Sequence, residues 1–339
     1  ALAALLPDAA LSHYAREALE AIPHPAAGAA LRGTLPALKG NLLVGAVHSL
    51  GMRRDADAVE TLTQLADDSD LRVAAAALVA LGRIGGAQAS RVLQGALGRG
   101  RDDLRDHAGE GCLLAADRHL RDGRRDAAVD LYDAVRRAPV AVQLRATATR
   151  GAIIARGVAG LSLLIEQLHS KEISLCDVAL ASIRDLPDPE VTATLVAELA
   201  KAEPGLQTLL ISALVDRAGS RVLGAVEAKA VAPSEEVRIV ALEALGQIGR
   251  DSSLPLLLQA IRAPSGRESA AAFDSLARIA APDTQAEILK TLPSVGPSLR
   301  VKLIAVIGER NAAGAAAELL RLALSADVDI SKASLRALA

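Results

Sequence analysis

The chain has 339 residues, 51% of them hydrophobic but 1% aromatic, and 38 basic residues stand against 40 acidic ones for a formal charge of −2. With Tyr14, Tyr132, Phe273 and no Trp, a core built from Ala, Leu, Val and Ile must be thin, which disfavours one large globule of packed sheets or a barrel. The balanced charge excludes a general polyanion-binding module, and the apolar content excludes disorder.

Self-similarity organises the elements along the chain. Steps of 31 residues connect Leu11, Leu42, Val73 and Leu104; nine extra residues intervene, and the series resumes at Leu144, Leu175, Leu206, Val237, Glu268, Leu299 and Ile330. Counting from each anchor, position 4 holds Ala15, Ala46, Ala77, Ala108, Ala148, Ala179, Leu210, Ala241, Ala272, Leu303 and Ser334. Position 7 is nearly always Ala, Ser or Gly, position 8 mostly Leu or Ile, and position 20 always Leu, Ile or Val in the repeats without the insertion. Positions 0, 4, 7, 8 and 11 form one helical stripe, and 17, 20, 21 and 24 form a second. Each repeat therefore reads as a helical hairpin whose small residues at position 7 let neighbouring helices approach.

Punctuation agrees with this period. Gly82 and Gly85, and Gly246 and Gly249, read as ends of first helices, while Asp55, Asp188 and Asp251 are placed to cap second helices. Pro139, Pro204, Pro233 and Pro264 separate one hairpin from the next. The predicted fold class is all-α: a right-handed α-α superhelix of about ten 31-residue hairpins plus a half repeat, running as one continuous solenoid over residues 1–339.

The stretches LRVAAAALVALGRIGGAQASRVLQGAL at 71–97, VRIVALEALGQIGRDSSLPLLLQAI at 237–261 and LRVKLIAVIGERNAAGAAAELLRLAL at 299–324 resemble the bacterial HEAT repeat of the phycobilin-lyase type. The resemblance covers essentially the whole chain and is weaker around 173–230. It implies an α-solenoid with second helices on its concave face. Arrays of this type act as protein-binding scaffolds, as accessory modules of larger multidomain bacterial enzymes and, in one branch, as subunits of chromophore (bilin) lyases.

Two stretches depart from the period. Residues 104–138 contain the nine extra residues and resemble a tetratricopeptide hairpin with Leu131 and Val135 in its core; about seven of the extra residues are expected to lengthen the first helix and push its end out of the stack. The segment from Ile330 to Ala339 fits the first helix of an eleventh repeat, so the array reads as part of a longer parent or as capped by that helix. Cys112 and Cys176 lie two repeats apart, beyond disulfide reach, and are expected as free thiols. No apolar run reaches the roughly 18 residues of a membrane helix, and the first residues lack the basic region of a signal peptide, so a soluble chain of unassigned compartment is expected.

Site signals are sparse. Asp103, Asp106, His107 and Glu110 share a side of one charged helix near Cys112 and His119, which raises metal binding; helix-dipole compensation and a core thiol account for the same pattern, and no metal or cofactor is expected. The histidines are scattered, with no nucleophile elbow, zincin or phosphate-loop motif, so no catalytic residue is assigned. Arginine is favoured 31 to 7 over lysine, which suits bidentate interface contacts, although a GC-rich codon choice is the favoured explanation. Positions 18 and 22 should face the groove of second helices, where Glu60, Gln64, Arg91, Ser162, Glu166, Gln259, Lys290 and Arg321 form polar studs among Gly95, Ala193, Ala197, Gly224 and Ala228. A shallow groove of this kind suits a helix or an extended peptide. The expectation is a non-catalytic scaffold for a protein or peptide, with other domains of a longer chain as alternative partners, and without nucleic acid or membrane insertion.

Overall fold

The computed structural model describes residues 1–186, 190–263, 266–310 and 313–339, and these form helices joined by short turns, with no strand among them. Contacts divide the chain into two compact units, Ala1–Leu186 and Pro187–Ala339. In the first unit lie α1 (Ser12–Ala21), α2 (Pro25–Thr34), α3 (Gly40–Arg53), α4 (Val59–Leu65), α5 (Leu71–Ile84) and α6 (Gly86–Arg99). They are followed by α7 (Arg105–Arg121), α8 (Arg125–Arg137), α9 (Val142–Arg156), α10 (Leu161–Leu168) and α11 (Ile173–Ser182). The second unit holds α12 (Glu190–Lys201), α13 (Pro204–Ala218), α14 (Leu223–Lys229), α15 (Glu235–Ile248), α16 (Leu254–Ala260), α17 (Gly266–Arg278), α18 (Thr284–Thr291), α19 (Pro297–Glu309), α20 (Ala316–Ala323) and α21 (Val328–Leu338). Odd-numbered helices are the first helices of the repeats and even-numbered ones the second, so both units are α-α stacks of the predicted class. Several second helices are shorter than the period implies, because a single 3-10 turn such as Ala56–Ala58 or Asp251–Ser253 introduces them.

The register predicts burial residue by residue. All eleven residues at position 4 are buried, from Ala15 to Ser334, as are all nine at position 20, from Leu31 to Leu319. First helices pack on first helices: α3 on α5 and α5 on α7 in one unit, α13 on α15 and α15 on α17 in the other. The closest approach falls where position 9 of one repeat meets position 7 of the next. A Cβ built on Gly82 would stand 2.4 Å from the Gly111 carbonyl oxygen, and one on Gly246 would stand 3.0 Å from the Ser275 Cα. Gly82 and Gly246 are thus contact residues inside their helices, which corrects their reading as helix ends; Gly85, at φ +73°, is the residue that ends α5. Two of the serines at position 7 bond their own helix, Ser49 Oγ to the Gly45 carbonyl at 3.1 Å and Ser182 Oγ to that of Val178 at 2.7 Å, whereas the buried Ser275 Oγ has no partner among the described residues.

Arginines at position 11 seal the preceding repeat. Arg53 donates from Nη1 to the Leu19 and Ile22 carbonyls, the latter at 2.7 Å, and from Nη2 to the His24 carbonyl at 3.1 Å. Arg310 repeats this in the second unit, donating to the carbonyls of Leu276 (3.1 Å), Ile279 (2.8 Å) and Ala281 (3.3 Å). One guanidinium thereby satisfies several of the carbonyls that a helix end leaves unpaired. The one anchor that is not aliphatic, Glu268, is buried in a two-pronged pair with Arg238, at 3.1 and 2.8 Å.

Two local expectations need correction. Asp55 does cap its own second helix, accepting from Asp57 N, but Asp251 accepts from Asp283 N of the following repeat at 3.1 Å, so it ties two repeats together. Asp188 and Pro264 lie outside the described residues. The lengthened α7 ends 17 positions after Leu104, against 11 after Val73 for α5, an extension of about 9 Å. It does not leave the stack: Ala115, Ala116 and His119 are buried, His119 Nε2 lies 3.0 Å from Ser90 Oγ on α6, and the Tyr132 hydroxyl on α8 donates to Asp117 at 2.5 Å. The Tyr132 ring fills the space that glycine at position 151 leaves open, since a Cβ there would come within 2.4 Å of it. Leu131 and Val135 are buried as expected. Residues Val142–Leu168 have the length and composition of a membrane-crossing helix, but they comprise α9, the 3-10 turn Gly157–Gly160 and α10, the two helices of one hairpin, and half of the apolar window is buried inside the fold.

Two substitutions test this packing. Leu257→Ala empties a fully buried site at position 20 and should cost about 2–5 kcal/mol in urea unfolding. Gly82→Leu drives a side chain into the α5–α7 contact and should cost about 1–3 kcal/mol or more, whereas Gly95→Leu, where a Cβ meets nothing within 4 Å, should be nearly neutral.

Candidate functional site

The predicted studs are all exposed and all on second helices. Glu60 and Gln64 stand on α4, Arg91 on α6, and Ser162 and Glu166 on α10 in the first unit; Gln259 stands on α16, Lys290 on α18 and Arg321 on α20 in the second. Three of them carry a neutralising neighbour. Lys290 Nζ pairs with Glu287 at 2.6 Å, Arg321 with Glu318, and Glu166 lies 3.9 Å from Arg136 while accepting from Gln167 Nε2 at 2.9 Å. The small residues between them, Gly95, Ala193, Ala197, Gly224 and Ala228, are exposed, and a Cβ on Gly95 or Gly224 meets nothing within 4 Å. Each unit thus presents a low second-helix face with polar side chains rising from it.

Sequence reasoning did not anticipate that this face is notched. Between α4 and α6 lies a depression of about 300 Å³ bounded by Ala66, Asp67, Val92, Gly95, Ala96 and Arg99. Between α14 and α16 lies a second, of about 500 Å³, bounded by Ala230, Val231, Leu256, Gln259, Ala260 and Arg262, with the Arg238–Glu268 pair at its base. The two occupy the same place in the repeat, at positions 24 and 25 of one second helix and 19, 22 and 23 of the next. Both notches have Ala at these positions, Ala66 and Ala96 in the first and Ala230 and Ala260 in the second, but the columns as a whole hold larger residues, and a depression depends on how far the short second helices stand apart.

On the first-helix side of the first unit, Ala75, Ala76 and Ala80 leave a shallow cavity of about 270 Å³ lined also by His48, Val79, Arg83, His107 and Glu110. Arg83 Nη1 lies 2.9 Å from His48 Nε2, and burial together with Arg83 pushes the His48 imidazole below its usual value. The other residues considered for a metal go separate ways. Asp103 pairs with Arg101 at 3.2 Å, Asp106 accepts from Ala141 N at 3.0 Å, and Cys112 is a buried free thiol whose pKa is pushed up to about 12 by burial. Cys176 is a second free thiol.

His119 is 3% exposed, and its Nδ1 has no hydrogen-bond partner among the described residues. Burial, then Arg124, push its pKa below the ordinary 6.5, with Asp122 opposing. A histidine with a lowered folded pKa contributes its stability above the unfolded value and loses it as pH falls through 6.5 toward the folded value. The urea midpoint should therefore fall from pH 7.5 to 5.5 more steeply in the native chain than in His119→Gln, and equal slopes would show that His119 plays no part.

Against this geometry, the family model for HEAT repeats matches residues 40–112 and 224–294, one stretch in each unit. Kap95p, in a structure describing its effect on the switch loops of RanGDP, superposes with a TM-score of 0.51 at 13% identity, over 97% of this chain and 52% of that one. Kap121p bound to Ste12p gives 0.52 at 9% identity, over 99% and 48%, and a chain of the Kap95:Nup1 complex gives 0.50 at 14%, over 98% and 52%. This chain therefore spans about half the length of those proteins. No curated protein matches it in sequence. HEAT repeats are thus matched in those two stretches, and the chain shares the fold of these karyopherin structures.

Proposed function

We propose that the chain is a non-catalytic scaffold that binds a protein or peptide along its second-helix faces, through Glu60, Gln64, Arg91 and Glu166 in the first unit and Gln259, Lys290 and Arg321 in the second. The observation that carries this reading is the division of labour within the repeat. Positions 8 and 20 are spent on the core, whereas positions 18 and 22 of successive second helices stay in solvent, spaced at the repeat period and separated by Gly and Ala. Side chains so arranged contribute little to the fold, and a low surface with regular polar points suits an extended or helical ligand. The solved neighbours of the same fold are described with protein partners, among them Kap121p bound to Ste12p and Kap121p bound to Nup53p. Other domains of a longer parent chain are partners of the same kind.

A photo-crosslinking amino acid placed at Arg91 or Gln259, with Thr147 on the first-helix side as control, tests this in a lysate of the source cell. Reproducible protein adducts at 91 and 259 but not at 147 are expected; adducts at all three positions, or none, would count against it. The resemblance to the phycobilin-lyase type is the sole support for a chromophore-handling role, and mixing the chain with a bilin should leave the tetrapyrrole spectrum unchanged.

A further inference from the structure

The two equivalent notches differ in chemistry at the positions that face the solvent. At position 25 the first-unit notch has Asp67 and the second-unit notch has Val231, which is 60% exposed. At position 22 the first has Gly95 and the second Gln259. Each has an arginine on its rim, Arg99 or Arg262, that enters no ion pair among the described residues; Arg262 donates only to Ser294 Oγ, at 2.8 Å. In the first notch a carboxylate, Asp67, lines the same depression as Arg99. In the second, the one lining carboxylate, Glu268, is paired with Arg238, and Arg262 stands beside an apolar wall of Val231, Leu256 and Ala260 without an ion pair among the described residues.

We infer that the second-unit notch between α14 and α16 is an acceptor for an acidic, aliphatic peptide segment, in which an aliphatic side chain rests on Val231 and Leu256 and an adjacent carboxylate pairs with Arg262. Gln259, at the same rim, supplies an amide for the peptide backbone. The inference deepens the scaffold reading and rests on it. Charge complementarity selects the occupant: a guanidinium in a fixed fork prefers a carboxylate, and an exposed valine contributes only when an apolar group covers it. The first-unit notch, with Asp67 in place of the valine, discriminates against the same ligand by like charge.

Fluorescence polarisation with a labelled Glu-Leu-Asp-Ile-Glu-Leu amide, and with the same peptide carrying Lys at the acidic positions, tests this on the full chain. The acidic probe should bind and the basic one should not. Arg262→Glu and Val231→Asp should each weaken binding by at least about tenfold, Arg99→Glu should leave it unchanged, and added salt should weaken it. All three positions are exposed, and circular dichroism confirms the fold of each variant. Binding that ignores Arg262→Glu, equal binding of the basic probe, or no binding up to roughly 1 mM, a level worth only about 4 kcal/mol, would overturn the inference. Crosslinks at 259 to a partner without acidic segments would sink it while leaving the scaffold reading intact.

Discussion

The constraint on which the structure depends is the approach of successive first helices at positions 7 and 9 of the repeat. Gly82 against Gly111 and Gly246 against Ser275 leave no room for a larger side chain, and that contact fixes how those hairpins are seated within each unit. Dense packing requires either bulky filling or short distances. With three aromatic rings in 339 residues, this chain takes the second course. Tyr132 is the informative exception, for the lengthened fourth repeat brings a ring into the core and Gly151 makes way for it.

Most of the fold was legible because periodicity is a property of sequence. The columns at positions 4 and 20 named twenty residues, all buried, and the odd anchor Glu268 found its reason in Arg238, one position after the preceding anchor. What was not legible depends on contacts between repeats. The glycines at position 9 have the composition of helix ends but the function of close contacts. Asp251 looks like a cap and instead reaches Asp283 of the next repeat. The end of α7 was expected to project, and it is covered because Ser90 and Tyr132 offer partners that no periodic pattern announces.

The candidate site shows the same limit. Exposure of positions 18 and 22 follows from the helical phase, so Arg91 and Gln259 were within reach of the sequence. The depressions beside them were not, because they arise from the spacing of short second helices and from which rim charges find partners. Glu287 neutralises Lys290 and Glu318 neutralises Arg321 within a single turn, so those studs are electrostatically quieter than their letters imply, while Arg262 is not.

The placement of the few aromatic residues also determines what a spectroscopist would see. Both tyrosines belong to the first unit, Tyr14 in solvent and Tyr132 buried with its hydroxyl on Asp117, whereas the second unit has only Phe273. Tyrosine emission and the tyrosine band of the near-ultraviolet dichroism therefore report on the first unit, and chiefly on its fourth repeat, while backbone dichroism reports on both. Comparing the two signals during unfolding separates the units without any label and reveals whether they melt together.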